Sequence, residues 1–310
     1  MKRADHGEGT REVVLMFSGG YDSTITALQL AEQFDRIHLV TFRSYGLVGV
    51  SHSEKHLREL RREFGSDRFI HEYMDVRSLQ RRIFSGFFED YGRYCDGGAP
   101  GIVCLSCKLA MHACAAGYCL DHGIPCLADG ANRTQSDHPE DMPGVMNVLR
   151  RFYMDLGVVY LSPIYDSELS ASGKRRYLRD RGYSTGVWLG QSSRTIQPLC
   201  LIGPLPTLWH FSAPYKEARM VAYVEAKLPV LRKIVDEAAG VNRPDRRTSS
   251  LSENDMIFLD HRQVDVQSEI SPGFDKFVSG LMSPLWIFFR CLFAGLRRMQ
   301  KSHDPDDELP

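Results

Sequence analysis

Residues Val13 to Thr24 read VVLMFSGGYDST: an apolar run breaks into Ser18, Gly19 and Gly20, and Tyr21, Asp22, Ser23 and Thr24 follow as the opening of a helix. Two adjacent glycines between a strand and a helix let the backbone turn sharply and leave its N–H groups uncovered, which makes an anion nest at a helix N-terminus. Ser18, Ser23 and Thr24 add hydroxyl donors, and Asp22 is placed to hold a Mg2+ ion that bridges phosphate oxygens. Such a loop suits a polyphosphate. It is not the loop that ends in Gly-Lys-Ser/Thr, because that ending is absent.

A second chemical feature is CLSC, Cys104 and Cys107. One helical turn between two thiols lets both face one ion or one partner, as in a zinc half-site, a cluster half-site or a redox pair. No second C-x-x-C exists to complete a four-cysteine zinc site, but Cys200 stands alone later in TIQPLCLIGP. Cys114, Cys119 and Cys126 have apolar neighbours and read as core, and Cys95 in RYCDGG reads as a conceivable extra ligand on a loop. Lys108 follows the pair directly, where it could steady phosphate or a thiolate or simply be a solvated helix lysine. His112 is weighed as an extension of a zinc site and set aside, and no H-E-x-x-H set exists.

These residues need a scaffold, and the pattern between Val13 and Ile164 alternates short apolar runs with helical periodicity. It predicts strands at Val13–Phe17, Ile37–Phe42 and Phe69–Met74, with helices at Thr24–Phe34, Glu54–Phe64 and Val76–Tyr91. A glycine-rich loop then feeds a helix beginning near Cys104, and IPCLADGAN forms a fourth strand ending in a polar turn. A late helix is expected from Tyr215 to about Ala239. The expected fold class is α/β, a parallel sheet flanked by helices, with a helical C-terminal appendage. The expected organisation is a flexible N-terminus at 1–10, the main domain at 11–240, a linker at 241–275, an apolar helical region at 276–300 and a flexible tail at 301–310.

With its strand-to-helix context, S-G-G-x-D-S resembles the pyrophosphate loop of the N-type ATP pyrophosphatase (PP-loop) superfamily, of the adenine nucleotide alpha hydrolase-like, HUP-type fold. The resemblance implies that ATP is cleaved between its α and β phosphates and that a substrate carbonyl oxygen is adenylated, with AMP and pyrophosphate as products. It implies a nucleotide site made by Ser18, Gly19, Gly20, Asp22, Ser23 and Thr24, with Mg2+ at Asp22. The end of the second strand, Thr41, Phe42 and Arg43, would line the adenine and ribose, although Phe42 reads equally as core. The turn DGANRTQSD would meet the α phosphate and substrate through Asp129, Gly130 and Asn132; Ala131 and Arg133 depart from the family's turns. Tyr21 stands where some tRNA-thiolating relatives carry Lys.

Two cysteines together and one distant resemble the tRNA 2-thiocytidine synthetases, where three cysteines hold a four-iron, four-sulfur (4Fe-4S) cluster with one open iron. LADGANRTQSD, Pro143-Gly144, DLGVVYLSPI and QPLCL also resemble, in order, elements of the ATP-dependent sacrificial sulfur transferases. The first resemblance implies that Cys104, Cys107 and Cys200 hold the cluster, or that Cys104 or Cys107 carries a persulfide that a partner thiol releases; the second implies that Cys200 donates or anchors sulfur, and Cys200 is the residue both share. The rivals are an adenylating enzyme that uses ammonia to form an amide or nitrile with structural Zn2+, and a nucleotide-binding protein without turnover.

The chain has 310 residues, 43% apolar and 25% charged, with a formal net charge of -1, so its length and composition suit a full core and no global basic field draws nucleic acid. GKRRYLRDRG, Gly173 to Gly182, is the strongest local basic cluster and could meet RNA phosphates or a nucleotide, although a solvated helix face explains such runs more often. The expected partners are a small-molecule substrate or tRNA and a sulfur donor. The charged N-terminus lacks a signal-peptide pattern, so a cytoplasmic protein with unpaired cysteines is expected. FDKFVSGLMSPLWIFFRCLFAGLRRMQK carries Pro284 and Arg290 within its apolar run. A helix packed on the domain or on a second copy in a homodimer is the default expectation there, with membrane contact the lesser alternative.

Overall fold

Side chains alternate along the first strand, β1 (Glu12–Met16), so that Val13, Leu15 and the following Phe17 enter one core and Val14 and Met16 another. The neighbouring β2 (Arg36–Arg43) repeats this, sending Ile37 and Leu39 to the first core and Val40 and Phe42 to the second. A strand apolar on both faces requires helices on both sides. In the computed structural model, which describes residues 10–45, 47–95, 97, 100–135, 137–167, 169–185, 199–200 and 214–239, it receives them.

The chain continues as α1 (Tyr21–Ala31) between β1 and β2, then β3 (Leu47–Val48), α2 (Ser53–Phe64), β4 (Phe69–Asp75), α3 (Arg77–Ile83) and α4 (Phe87–Asp90). After these come α5 (Ile102–His122), β5 (Cys126–Ala128), α6 (Pro143–Asp155), β6 (Val159–Leu161), α7 (Ala171–Asp180), β7 (Leu199–Cys200) and α8 (Glu217–Ala238). Five strands form one parallel sheet in the order β4-β2-β1-β5-β6, and β3 pairs antiparallel with β7. The core with Val13 and Leu15 is closed by side chains of α1, α2 and α7, and the other by α5, α6 and α8. Each fully buried Leu, Ile or Phe in these layers contributes about 1.5–3 kcal/mol.

The α/β class and parallel sheet agree with the sequence reading, and the strands fall within a residue or two of their expected bounds. The helix expected from Val76 to Tyr91 is instead broken. Gly86 takes φ +82, which ends α3's course and starts α4, and a π-turn follows over Tyr91–Cys95. The helix expected near Cys104 begins at Ile102 and ends at Gly123, whose φ of +67 lets Ile124 N–H reach Cys119 O at 2.9 Å. It is long and apolar enough to cross a membrane, yet lies largely buried in this core. Residues 1–9, the linker at 241–275, the apolar region at 276–300 and the tail at 301–310 lie outside the described residues.

Candidate nucleotide and thiol site

β1 lies between β2 and β5, so the chain leaves it to build the sheet first in one direction and then in the other. The carboxyl ends of β1 and β5 therefore flank a crevice, the place where open parallel sheets bind ligands. Ser18–Thr24 follows β1, and Asp129–Asn132 follows β5. The two loops touch: a Cβ on Gly130 would stand 2.9 Å from Ser23 N.

The first loop keeps its shape through its own polar groups and one steric fit. Gly19 has φ +72, and a Cβ there would stand 2.4 Å from Ser53 Cα, so both conformation and space demand glycine. Gly20 N–H donates to Ser18 Oγ at 3.2 Å, while the Ser23 and Thr24 hydroxyls donate to Gly20 O at 3.2 and 2.7 Å. Ser18 and Ser23 hydroxyls lie 3.1 Å apart. Asp22 is the acid of the first turn of α1. Its Oδ1 meets Lys174 Nζ at 2.5 Å, and Lys174 is 4% exposed.

Within GKRRYLRDRG, Lys174 therefore departs from the solvated face expected of the run and stands at the loop after β1. Ser170 caps α7 by accepting from Gly173 N–H at 3.1 Å, and the helix so started turns Lys174 inward beside Leu178 while Arg175, Arg176 and Arg179 stay outside. The spacing Lys174–Leu178 is the legible signal, since i and i+4 share a helix face.

After β5, Asp129 is buried and saturated. Its Oδ2 accepts from Lys108 Nζ at 3.0 Å and Tyr160 OH at 2.7 Å, and its Oδ1 accepts from Ser162 Oγ at 2.8 Å and Ala131 N–H at 3.1 Å. Burial is the largest influence and works to raise its pKa, but the Lys108 ammonium, His112 and the hydrogen bonds from Tyr160 and Ala131 N–H together outweigh it and hold the carboxyl below its ordinary range. Lys108 in turn keeps its proton, because Asp129 and Asp141 outweigh the burial that opposes it. Lys108 is thus an ion-paired lysine, not a solvated one. Burial pushes Asp141 up to about 7, with Lys108 lowering it and Glu140, Asp129 and Asp22 raising it. His112 is buried and neutral, pushed down to about 3 first by burial and then by Lys108. Asn132 Oδ1 accepts from Thr134 N–H and Oγ1–H, while its Nδ2 is buried without a hydrogen-bond partner among the described residues.

The cysteines selected from the sequence come together. Cys104 and Cys107 occupy the first two turns of α5, and Leu47 pairs with Cys200 across the β3–β7 ribbon. Burial raises the Cys104 thiol strongly, with Glu140, Cys200 and Cys107 adding in that order. Burial pushes Cys107 up to about 11; its thiol donates to Ser44 Oγ at 3.3 Å, and Cys200 and Glu140 also raise it. Cys200 therefore lies close enough to raise both thiols of α5. Among the described residues, no group of three or more His, Cys, Asp or Glu is spaced to hold one metal ion. Glu140, Asp141 and Ser44 carry no motif and were not legible as site residues.

The remaining candidates sit apart. Cys119 and Cys126 are buried, and Cys114 packs against the core beside Met74. Cys95 is buried too, at the end of the π-turn rather than on a free loop. Thr41 Oγ1 donates to Phe17 O at 2.6 Å and contacts His71, Phe42 lies in the core, and Arg43 is exposed with its guanidinium over Tyr73.

The fold and site define a doubly wound α/β protein with a glycine-containing strand–loop–helix turn at its switch point, the fold expected from the resemblance to the PP-loop superfamily. No protein-family model matches the chain, and no curated protein matches it. Among solved structures, a predicted subunit of tRNA methyltransferase from Methanocaldococcus jannaschii is 19% identical, with a TM-score of 0.34 over 56% of this chain and 89% of that one. A 4-thiouridine synthetase in complex with RNA and ATP is 16% identical, with a TM-score of 0.48 over 74% of this chain and 53% of that one. The assignment of fold rests on strand order and loop geometry, not on these overlaps.

Proposed function

We propose that this chain is an ATP-dependent sulfur transferase: it adenylates a substrate carbonyl oxygen with release of pyrophosphate, then replaces that oxygen with sulfur delivered through Cys104, Cys107 and Cys200. The observation that carries the reading is the placement of the Ser18–Thr24 loop, the Asp129–Asn132 turn and the three thiols around one sheet crevice.

The loop's N–H groups and hydroxyls bind the β and γ phosphates. Asp22 would hold Mg2+, and the Lys174 ammonium, released from Asp22, would move to a phosphate oxygen, so the apo ion pair keeps both groups in place until nucleotide arrives. Asn132 Nδ2 offers a donor to the α phosphate or acceptor. The acceptor oxygen attacks the α phosphorus, pyrophosphate leaves, and Lys108 fixes the turn through Asp129. A persulfide on Cys104 or Cys107, loaded from an external persulfide donor, attacks the adenylated carbon with its terminal sulfur, and AMP leaves. A neighbouring thiol then breaks the S–S bond and forms a disulfide that an external dithiol must reduce.

The donor set of three thiols fits an iron–sulfur cluster in chemistry, and Cys104, Cys107 and Cys200 would be its ligands. Such a cluster, when bound, would supply an open iron as the carrier of sulfide. The acceptor is tRNA or a small molecule.

The test is anaerobic purification with iron, sulfide and zinc analysis of wild type and Cys104→Ala, together with AMP and pyrophosphate release on bulk tRNA and mass spectrometry of its nucleosides. About four irons lost on substitution support the cluster route. Metal-free protein that thiolates from a persulfide donor supports the persulfide route. ATP binding with no AMP release under any sulfur donor would overturn the proposal.

A further inference from the structure

His56, on the second turn of α2, is fully buried and belongs to no motif. Its Nδ1 lies 2.8 Å from Gly19 O and 2.8 Å from Thr24 Oγ1, and its Nε2 lies 2.9 Å from Ser184 O. The ring thus spans from the phosphate loop to the segment that follows α7, the helix carrying Lys174. That segment is held to α2 a second time, since Ser184 N–H and Oγ–H both donate to the Glu59 carboxylate. The charged and titratable groups facing the ring are Glu59, 3.7 Å from Nε2, and Lys55 on its own helix, with the Tyr183 ring 6.1 Å away.

The partners impose a choice on the ring. Gly19 O and Ser184 O can only accept, so each needs a ring N–H, and burial lowers the pKa of His56 toward the neutral form with a single proton. With that proton on Nδ1, the ring donates to Gly19 O and leaves the Thr24 hydroxyl free to donate to Gly20 O. With it on Nε2, the ring donates to Ser184 O and Nδ1 takes the Thr24 proton, stripping a bond from the loop.

We infer that His56 is a positioning residue of the nucleotide site, whose Nδ1–H holds the Gly19 carbonyl and with it the phosphate loop. The inference rests on the ATP-binding part of the function proposed above.

Side-chain amides separate the two edges: Asn at 56 reaches only where Nδ1 stands, and Gln reaches where Nε2 stands. Equilibrium binding of Mg-ATP to the full chain is measured for wild type, His56→Asn and His56→Gln, with thermal unfolding in parallel. His56→Asn is expected to bind within about threefold of wild type and His56→Gln about ten- to hundredfold more weakly, the effect of one buried hydrogen bond to a loop carbonyl. Equal affinity in the two variants, equal loss in both, or failure of both to fold would assign His56 to packing and overturn the inference. Absence of ATP binding by wild type would instead refute the ATP-using function itself.

Discussion

Lys108→Met should lower stability most near neutral pH and less in acid. In the folded chain Lys108 Nζ stands 3.0 Å from Asp129 Oδ2 and 3.9 Å from Asp141 Oδ1, and Asp129 is 2% exposed. Removing one partner of a buried pair leaves an uncompensated charge and costs about 3–5 kcal/mol. Asp129 keeps Tyr160, Ser162 and the Ala131 N–H, so the lower end applies, about 3 kcal/mol. At roughly 2–4 °C per kcal/mol for a domain of this size, that is a fall in Tm of about 6–12 °C. With Lys108 present, the Asp129 carboxyl is held below its ordinary range, so the pair's stabilisation is complete above the unfolded carboxyl's pKa and fades as pH falls through the lower folded one. With Met at 108, burial dominates and raises that carboxyl, so protonation in acid relieves the variant. The gap between the two proteins is therefore widest at about pH 7 and narrows toward about pH 4. Thermal unfolding followed by circular dichroism across that range measures it. A variant that melts within about 1 °C of wild type at neutral pH, or a gap that widens in acid, would refute the reasoning.

Gly19→Ala forces a Cβ against the Ser53 backbone at a left-handed φ, so Mg-ATP affinity should fall more than about tenfold, read by equilibrium binding. Lys174→Met removes the cation from Asp22, and about tenfold weaker ATP binding is expected with a fall in Tm smaller than that of Lys108→Met, because Asp22 is 26% exposed and can hydrate; an unchanged affinity would leave Lys174 a structural ion pair only. Asp22→Asn should abolish AMP release while the chain stays folded, measured by nucleotide chromatography. Asp141, raised to about 7 by burial, binds its proton more tightly folded than unfolded, so its contribution is present in acid and lost as pH rises through about 7. Asp141→Asn should flatten the decline in Tm between about pH 5 and pH 8, and an unaltered slope would assign that decline elsewhere.

Much of the scaffold is legible because β1 and β2 are apolar on both faces, a pattern that only a two-sided parallel sheet can bury. The phosphate loop is legible because two glycines between strand and helix have few other uses. The break at Gly86 was hidden, since one glycine within a helical period looks tolerable until its φ is known. Lys174 was half hidden: its run is basic, and the inward turn shows only through its i+4 relation to Leu178. His56, Glu140 and Asp141 were invisible for a further reason, because their importance comes from what other elements bring beside them.

The thiols mark where local chemistry depends on the whole fold. Cys104 and Cys107 are placed by one helix, but Cys200 reaches them only through the β3–β7 pairing. Burial keeps the first two protonated, and a protonated thiol is a poor nucleophile and a poor ligand. Positive charge must come close before they act. Lys108 lies next to Cys107 but is committed to Asp129, and Lys174 to Asp22. The resting site thus holds its two buried cations in pairs, and a bound metal centre, or Mg-ATP drawing Lys174 from Asp22, changes the field that the thiols feel. If the proposed function holds, the two halves of the site are coupled through that field.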